Sequence, residues 1–448
     1  MKLRTVIVSD LHLGGGSADP GDDHVYQQHQ FRRFLDELSG SEEAARGEIE
    51  LFINGDFLEF AQTAPDAYEG VDKSFWCSER ESCLKLEVVL AGHRDIFDAL
   101  GMLASGGNTV TLAAGNHDVD LYWAGVQQRL RAATHATLQF ELGKEWVGRY
   151  DERLQIAHGH IPDPVNTFKN WADPRRFDAD REERLEMCPG TLFMLQFVNR
   201  MERKYPFADN LHPVQSLARL LYADDKSGFT AMGWAFLRFA ARNPRTLGQT
   251  GADPGVGTRL LRRLRDPADP LAAALGDALP SPLAAQVLRD SLRSEDALAE
   301  FIVRNWPHLA GTPAALQLDA RGAATLSASA RRNTLAALAQ GSSFGKDALR
   351  RVARERAASV PQAEVIVLGH THVPDELQVS NPARYFNPGS WTRYVDVEQH
   401  PELSLDDLRD ESRFPYALNF VDVRCLGAGQ PLQATLSCFD QQAAEFSG

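Results

Sequence analysis

Cysteine is scarce in this chain, and so are long apolar runs. Five cysteines occur in 448 residues, Cys77, Cys83, Cys188, Cys425 and Cys438, an odd number without a C-x-x-C spacing. That pattern argues against a zinc ribbon or a disulfide scaffold and leaves scattered reduced thiols as the expectation. No uninterrupted apolar stretch approaches the ~20 residues of a membrane span. The apolar run Val6-Ile7-Val8 is too short for a secretory-signal core and no small-residue cleavage site follows it, so a cytoplasmic location is expected. Positive charge is also in short supply. With 47 Lys and Arg against 61 Asp and Glu, the net charge is −14, which argues against a general nucleic-acid binder.

What is present is the composition of a folded domain, 43% apolar and 24% charged, in a chain too long for one small core. Its charge is unevenly spread. Residues 161–360 hold roughly 28 Lys and Arg against roughly 22 Asp and Glu, so the rest is the more acidic part. An acidic body suits a cation-binding centre, and a mildly basic middle suits an anionic substrate or surface. Solvated helix faces give the same numbers.

The first part of the chain alternates β-branched runs with helical stretches. Strands are expected at Leu3–Val8, Ile49–Ile53, Thr109–Leu112 and Leu154–Ala157, with helices at Gln28–Leu38 and Leu84–Leu103, the latter stopping at Gly106-Gly107. From about residue 165 to 358 the texture becomes Ala-, Leu- and Arg-rich and helical, including Asp347–Ala358. Strands return at Val365–Leu368, Tyr385-Phe386, Ala417–Val423 and Leu432–Cys438. The simplest organisation is one α/β core in two parts, residues 1–160 and 361–448, around a helical insertion or cap at 161–360. A head-to-tail pair of domains is weaker, because the second set of strands is too small for its own sheet.

Five short clusters carry the chemistry: Asp10-Leu11-His12, Gly55-Asp56, Gly115-Asn116-His117-Asp118, His158-Gly159-His160 and Gly369-His370-Thr371-His372. Four directly follow an expected strand, where α/β sheets assemble their sites, and the Asn116 cluster lies just beyond one. Six of the 13 histidines lie in them. Carboxylate, imidazole and amide donors without thiolate suit hard or borderline divalent metals. Asp10-x-His12 and His370-x-His372 each place two side chains on one side of a strand end, and the adjacent glycines allow sharp turns. Singly, Asp10-Leu11-His12, Gly55-Asp56 and His158-Gly159-His160 read as turns, while the tetrapeptide Gly115-Asn116-His117-Asp118 is the sharper signal; all five in this order are not explained by turns or core packing.

In that order the clusters resemble the calcineurin-like metallophosphoesterase superfamily, with its D-x-H, G-D, G-N-H-[DE], H and G-H-x-H signature, over residues 1–160 and 361–395. Asn387-Pro388-Gly389-Ser390 is similar to a turn common after its last motif. The resemblance implies a four-layer α/β/β/α sandwich and two divalent ions about 3.5 Å apart. Mn2+ is the first expectation, with Fe, Zn, Ni or Co as alternatives. By motif, Asp10, His12, Asp56 and His372 would hold one ion; Asp56, Asn116, His158 and His370 would hold the other. A bridging hydroxide would then attack phosphorus, with His117 as general acid and Glu59 as the carboxylate orienting it. Glu59 reads equally as a helix-start carboxylate, Asp118 as a cap for the next turn, and His160 as a residue behind the ligands or an incidental one.

The expected activity is hydrolysis of phosphoester or pyrophosphate bonds, with a phosphorylated small molecule or lipid-linked nucleotide as substrate. Asp56-Phe57-Leu58-Glu59 lacks the Asp-Arg-Gly ending of protein Ser/Thr phosphatases. Ser9–Gly14 with Asn54–Phe60 looks more like the UDP-diacylglucosamine pyrophosphatase branch, and DNA-repair nucleases share the opening motif. Leu192–Phe197 and Ala231–Arg242 could form an acyl-binding lid or a peripheral membrane contact; helix packing within a cap is the plainer reading. A non-catalytic scaffold of the same fold is the alternative from a different class, but this chain keeps every expected ligand and His117.

Overall fold

The structure, a computed structural model, describes residues 2–16, 25–65, 76–163, 165–177, 182–188 and 345–397. It also describes residues 190, 191, 194, 195, 199, 205–208, 210–212, 217 and 220, and 400–439 apart from 401, 415–417 and 428. Contacts divide the chain into two compact units, Met1–His212 with Phe344–Glu402 and Asp406–Gly448, and Pro213–Ser343 with Leu403–Leu405. The first unit carries everything described below.

Its strands are β1 (Arg4–Val8), β2 (Ile49–Asn54), β3 (Thr109–Ala113), β4 (Gln139–Glu141), β5 (Val147–Arg149), β6 (Leu154–Ala157), β7 (Arg175–Phe177), β8 (Glu183–Leu185), β9 (Leu211–His212), β10 (Val365–Leu368), β11 (Asp375–Gln378), β12 (Arg384–Asn387), β13 (Val395–Asp396), β14 (Asn419–Arg424) and β15 (Gln433–Cys438). One sheet runs β15-β14-β1-β2-β3-β4, the other β11-β12-β10-β6-β5, and β7-β8 and β9-β13 form two small pairs. Strands β1 to β4 are mutually parallel, as are β6, β10 and β12; β14, β15, β5 and β11 add antiparallel edges.

Alternation along each strand sorts side chains into layers. Ile7, Phe52, Val421 and Val423 from the larger sheet meet Leu154, Ile156, Val365, Val367 and Phe386 from the smaller one. Each fully buried Phe here contributes about 1.5–3 kcal/mol relative to exposure. The opposite face of the larger sheet, with Val6, Val8, Leu51, Ile53, Val110 and Leu112, packs on helices α1 (Val25–Ser39), α3 (Glu79–Gly92), α4 (Arg94–Ser105) and α5 (Ala124–Thr134), while α2 (Glu42–Ala45) is a single turn. Ala157, Ile366, Leu368 and Tyr385 pack on α6 (Lys346–Ser359). The result is the expected four-layer α/β/β/α sandwich. None of the five cysteines is in a disulfide.

One expected helix is divided in two. The periodic stretch 84–103 is two helices, broken at His93, whose φ of −128° and ψ of 32° leave the helical region. Gly92 explains the break locally. A Cβ there would stand 2.8 Å from Gly15 O, so the chain turns where the loop after β1 crosses it. The first of these helices starts at Glu79 because Ser78 N and Oγ both donate to Glu81 Oε2, at 3.1 and 2.7 Å. Of the helical stretch expected from about residue 165 to 358, the part between 188 and 345 has only scattered residues up to 220 among the described ones.

Candidate metal centre

Five strands of two sheets end at one place. Asp10 and His12 follow β1, Asp56 follows β2, Asn116 follows β3, His158 follows β6, and His370 and His372 follow β10. The two sheets are stitched together there: Asn54 Nδ2 donates to Ala157 O at 2.9 Å, and His158 Nδ1 donates to Asn54 O at 2.8 Å. The loops beyond β1 and β2 keep pairing, with His12 N to Asp56 O and Leu13 N to Phe57 O both at 2.9 Å.

Backbone conformation sets the direction of the side chains. Asp10, His12, Asp56, His370 and His372 all have positive φ, from 49° to 71°. That region is unfavourable for residues with a Cβ and tends to be retained where surrounding structure enforces it at functional sites. The enforcing contacts are visible. Asp10 O accepts from Ser390 Oγ at 2.9 Å and Trp391 N at 3.1 Å, and Asn387 Nδ2 donates to Gly369 O at 3.1 Å, so the Asn387–Ser390 turn braces both loops. Two glycines are equally constrained. A Cβ on Gly55 would stand 2.5 Å from His158 Nδ1, and one on Gly115 would stand 2.7 Å from Asp56 N.

Donor atoms converge as three overlapping groups, each within 4.8 Å: Asp10, His12 and His372; His12, Asp56 and His117; Asp56, His158 and His370. His12 Nε2 lies 3.2 Å from His372 Nε2, and His158 Nε2 lies 3.2 Å from Asp56 Oδ2 without hydrogen-bond geometry. The residues fit a metal by a specific criterion. Asp10 Oδ1, Asn116 Oδ1 and His158 Nε2 are buried and accept or donate no hydrogen bond, an arrangement costly unless a cation satisfies it. The opposite atoms of Asp10 and His158 are committed to protein partners: Asp10 Oδ2 accepts from Ser9 Oγ at 2.5 Å and His370 N at 3.0 Å, and His158 Nδ1 donates to Asn54 O; on Asp56, Oδ1 accepts from His117 N at 2.9 Å.

Electrostatics follow from packing carboxylates among imidazoles. Burial disfavours the Asp56 carboxylate, but His158, His117 and His12 hold it well below its usual range. Burial likewise disfavours a charged His158, and Asp56 and Asp10 overcome this, raising it to about 9. For Glu59, burial is outweighed by His117 and His12, which bring it down to about 2; for His117, burial is outweighed by Glu59 and Asp56, which raise it to about 10.

Three residues behave differently from, or were absent from, the sequence reading. Asp118 does not cap the turn that follows it. Its carboxylate reaches back to accept from Gly115 N at 2.6 Å, Phe57 N at 2.8 Å and Asp56 N at 3.3 Å, tying two motif loops together. His160 is buried with neither ring nitrogen hydrogen-bonded, its ring edge-on to Trp171 at 4.3 Å; burial, then the nearby His158 and His370, keep it neutral well below the usual pKa. Asp163, unremarked in the sequence, lies 3.0 Å from His370 Nε2. Only its spacing after the His158-Gly159-His160 cluster could have hinted at it.

The strand ends of this double-sheet sandwich gather oxygen and nitrogen donors that could hold metal ions. The calcineurin-like phosphoesterase family model matches residues 3–227, half of the chain, and the chain belongs to that family. The His370–His372 cluster lies beyond the matched span, and the fold brings it to the others. No curated protein matches the chain. Among the described residues, no helix is long and apolar enough to cross a membrane.

Proposed function

We propose that this protein hydrolyses phosphoester or pyrophosphate bonds with two divalent metal ions, Mn2+ foremost. The first ion would be held by Asp10, His12, Asp56 and His372, the second by Asp56, Asn116, His158 and His370. When bound, such a pair supplies Lewis acidity that makes water acidic near neutral pH and neutralises phosphoryl oxygens. The observation that carries the reading is the set of buried, unsatisfied donor atoms Asp10 Oδ1, Asn116 Oδ1 and His158 Nε2 around Asp56.

The chain's own residues supply the rest. Glu59 accepts from His117 Nδ1, which leaves Nε2 as the atom that can hold or deliver a proton to a leaving oxygen. His12 Nδ1 and His158 Nδ1 donate to Glu59 and to Asn54 O, fixing the tautomers whose Nε2 lone pairs face the centre. The His117 side chain is 16% exposed, so substrate can reach it, whereas Glu59 is sealed off. Grouping of His117 with His12 and Asp56 supports a second reading, in which His117 is itself a metal ligand.

Substrate choice is proposed to rest on the 161–360 segment, with a phosphorylated small molecule or a lipid-linked nucleotide as the substrate and nucleic acid as the alternative. The test is turnover of nitrophenyl monoester, nitrophenyl diester and a nucleotide-linked pyrophosphate by protein stripped with EDTA and reloaded with Mn2+. Activity that disappears on stripping and returns on reloading is expected. Folded protein that binds two ions yet turns over none of the three, with any divalent metal, would make it a scaffold instead. Loss of one bound ion in His117→Ala would favour the second reading; retention of both, with low kcat, the first.

A further inference from the structure

Asp163 and Asn166 lie outside all five motifs, yet they touch two of the proposed second-ion ligands. Asp163 Oδ2 stands 3.0 Å from His370 Nε2, with both side chains less than 10% exposed. The same carboxylate is held from behind, Oδ1 accepting from Val165 N at 3.0 Å and Oδ2 from Asn166 Nδ2 at 2.8 Å. Asn166 Oδ1 in turn accepts from Asn116 Nδ2 at 3.5 Å, while Asn116 Oδ1 is buried and unsatisfied.

We propose that Asp163 is a positioning residue that makes Nδ1 of His370 the nitrogen presented to the second ion. This rests on the two-ion reading above. A neutral imidazole carries one N–H and one lone pair, and the partner of the N–H decides which nitrogen is which. A carboxylate oxygen accepts, so the contact with Asp163 Oδ2 assigns the N–H of His370 to Nε2 and the lone pair to Nδ1. Asn166 performs the corresponding sorting on Asn116: it takes the NH2 end and turns the carbonyl oxygen, the atom a cation prefers, toward the centre. Outer partners of this kind typically change metal affinity by about 10–100-fold when removed. The plain alternative is that Asp163 only closes its own turn, because the Oδ1 to Val165 N bond is an Asx turn. The turn takes Oδ1 for Val165 N and shares Oδ2 between Asn166 Nδ2 and His370 Nε2, so the protonation site of His370 is the readout that separates the two roles.

Asp163→Asn keeps Oδ1 for Val165 N but replaces Oδ2 with an NH2 group, which can accept from neither His370 nor Asn166. It would favour the opposite tautomer, with the proton on Nδ1. Full-length wild type and Asp163→Asn, stripped and titrated with Mn2+, are compared by calorimetry and by electron paramagnetic resonance. Wild type is expected to bind two ions and give an exchange-coupled signal. The variant is expected to bind one ion with unchanged affinity and the second about 10–100-fold more weakly, with the six-line spectrum of an isolated ion at one equivalent persisting at two. Equal affinities and the same coupled signal in both proteins would overturn the proposal while leaving the two-ion reading intact. Wild type that binds no Mn2+ would overturn the two-ion reading itself. Whether or not Asp163→Asn folds, 15N-histidine spectra of Zn2+-loaded wild type, assigned with His370→Gln, separate positioning from turn closure: a proton on Nε2 of His370 supports the proposal and a proton on Nδ1 overturns it.

Discussion

His12 and His117 are tied to a single oxygen atom. Glu59 Oε2 accepts from His12 Nδ1 at 2.8 Å and from His117 Nδ1 at 2.6 Å, and the two rings meet edge to face at 4.7 Å. One buried carboxylate thereby orients both a proposed metal ligand and the proposed proton donor. Its other oxygen, Oε1, accepts from Ala61 N at 2.9 Å and Gln62 N at 3.2 Å.

Glu59→Gln is therefore expected to damage two functions and His117→Asn one. An amide at 59 must set its NH2 against either two ring N–H groups or two backbone N–H groups. Mn2+ affinity should fall about 10–100-fold together with kcat. His117→Asn should keep Mn2+ affinity and lose about 10²–10⁴-fold in kcat, with a smaller loss for nitrophenyl esters, whose leaving group needs no proton. Titration of Mn2+ alongside kcat for nitrophenyl and alkyl esters checks this; equal kcat losses across leaving groups would contradict the acid role.

The same carboxylate predicts a pH signature in the metal-free protein. Glu59 sits at about 2 in the fold against 4.5 ordinarily, so its contribution is complete above pH 4.5 and is lost as pH falls toward 2. His117 sits at about 10 against 6.5, so its contribution is complete below pH 6.5 and is lost as pH rises through 10. In EDTA, the melting-temperature difference between wild type and Glu59→Gln is expected to be largest between pH 4.5 and 6.5 and to shrink on both sides. A difference independent of pH would refute the pairing.

Gly115→Ala tests the packing of the two motif loops. The added methyl would overlap Asp56 Oδ1 and sit 2.7 Å from Asp56 N. Overpacking of this kind costs about 1–3 kcal/mol, and here the strain falls on the residue proposed to bridge the ions. A lowered melting temperature together with loss of stoichiometric Mn2+ binding is expected; unchanged binding by calorimetry would show that the loop yields freely.

Asp118→Asn addresses the loop from the other side. Both Asp118 oxygens accept backbone N–H groups from residues 56, 57 and 115, and an amide turns one acceptor into a donor facing a donor. The loss should be about 1–3 kcal/mol, read from denaturant unfolding, with kcat falling because Asp56 shifts. Full stability and activity in the variant would mean that the Asp56 loop holds itself.

Much of the fold was legible because alternation along short β-branched runs survives any context. β6 and β10 lie where the sequence places them, and β1, β2 and β3 within a residue or so. The helix break at His93 was not legible, since it depends on Gly15 crossing Gly92 from elsewhere in the chain. The short edge strands β4, β5 and β11 were missed for a related reason: with three or four residues each, they take their conformation from a neighbouring strand.

The order and chemistry of the five motifs, fixed by local sequence, determined the family and the kinds of donor atom. Only the tertiary structure decided how those donors are aimed: positive φ at five of them, one carboxylate shared by His12 and His117, and Asp163 set against His370. The reason is physical. Periodicity and motif spacing are properties of neighbouring residues, whereas the tautomer of an imidazole and the strain of a loop depend on partners tens to hundreds of residues away that meet only when the two sheets close on each other.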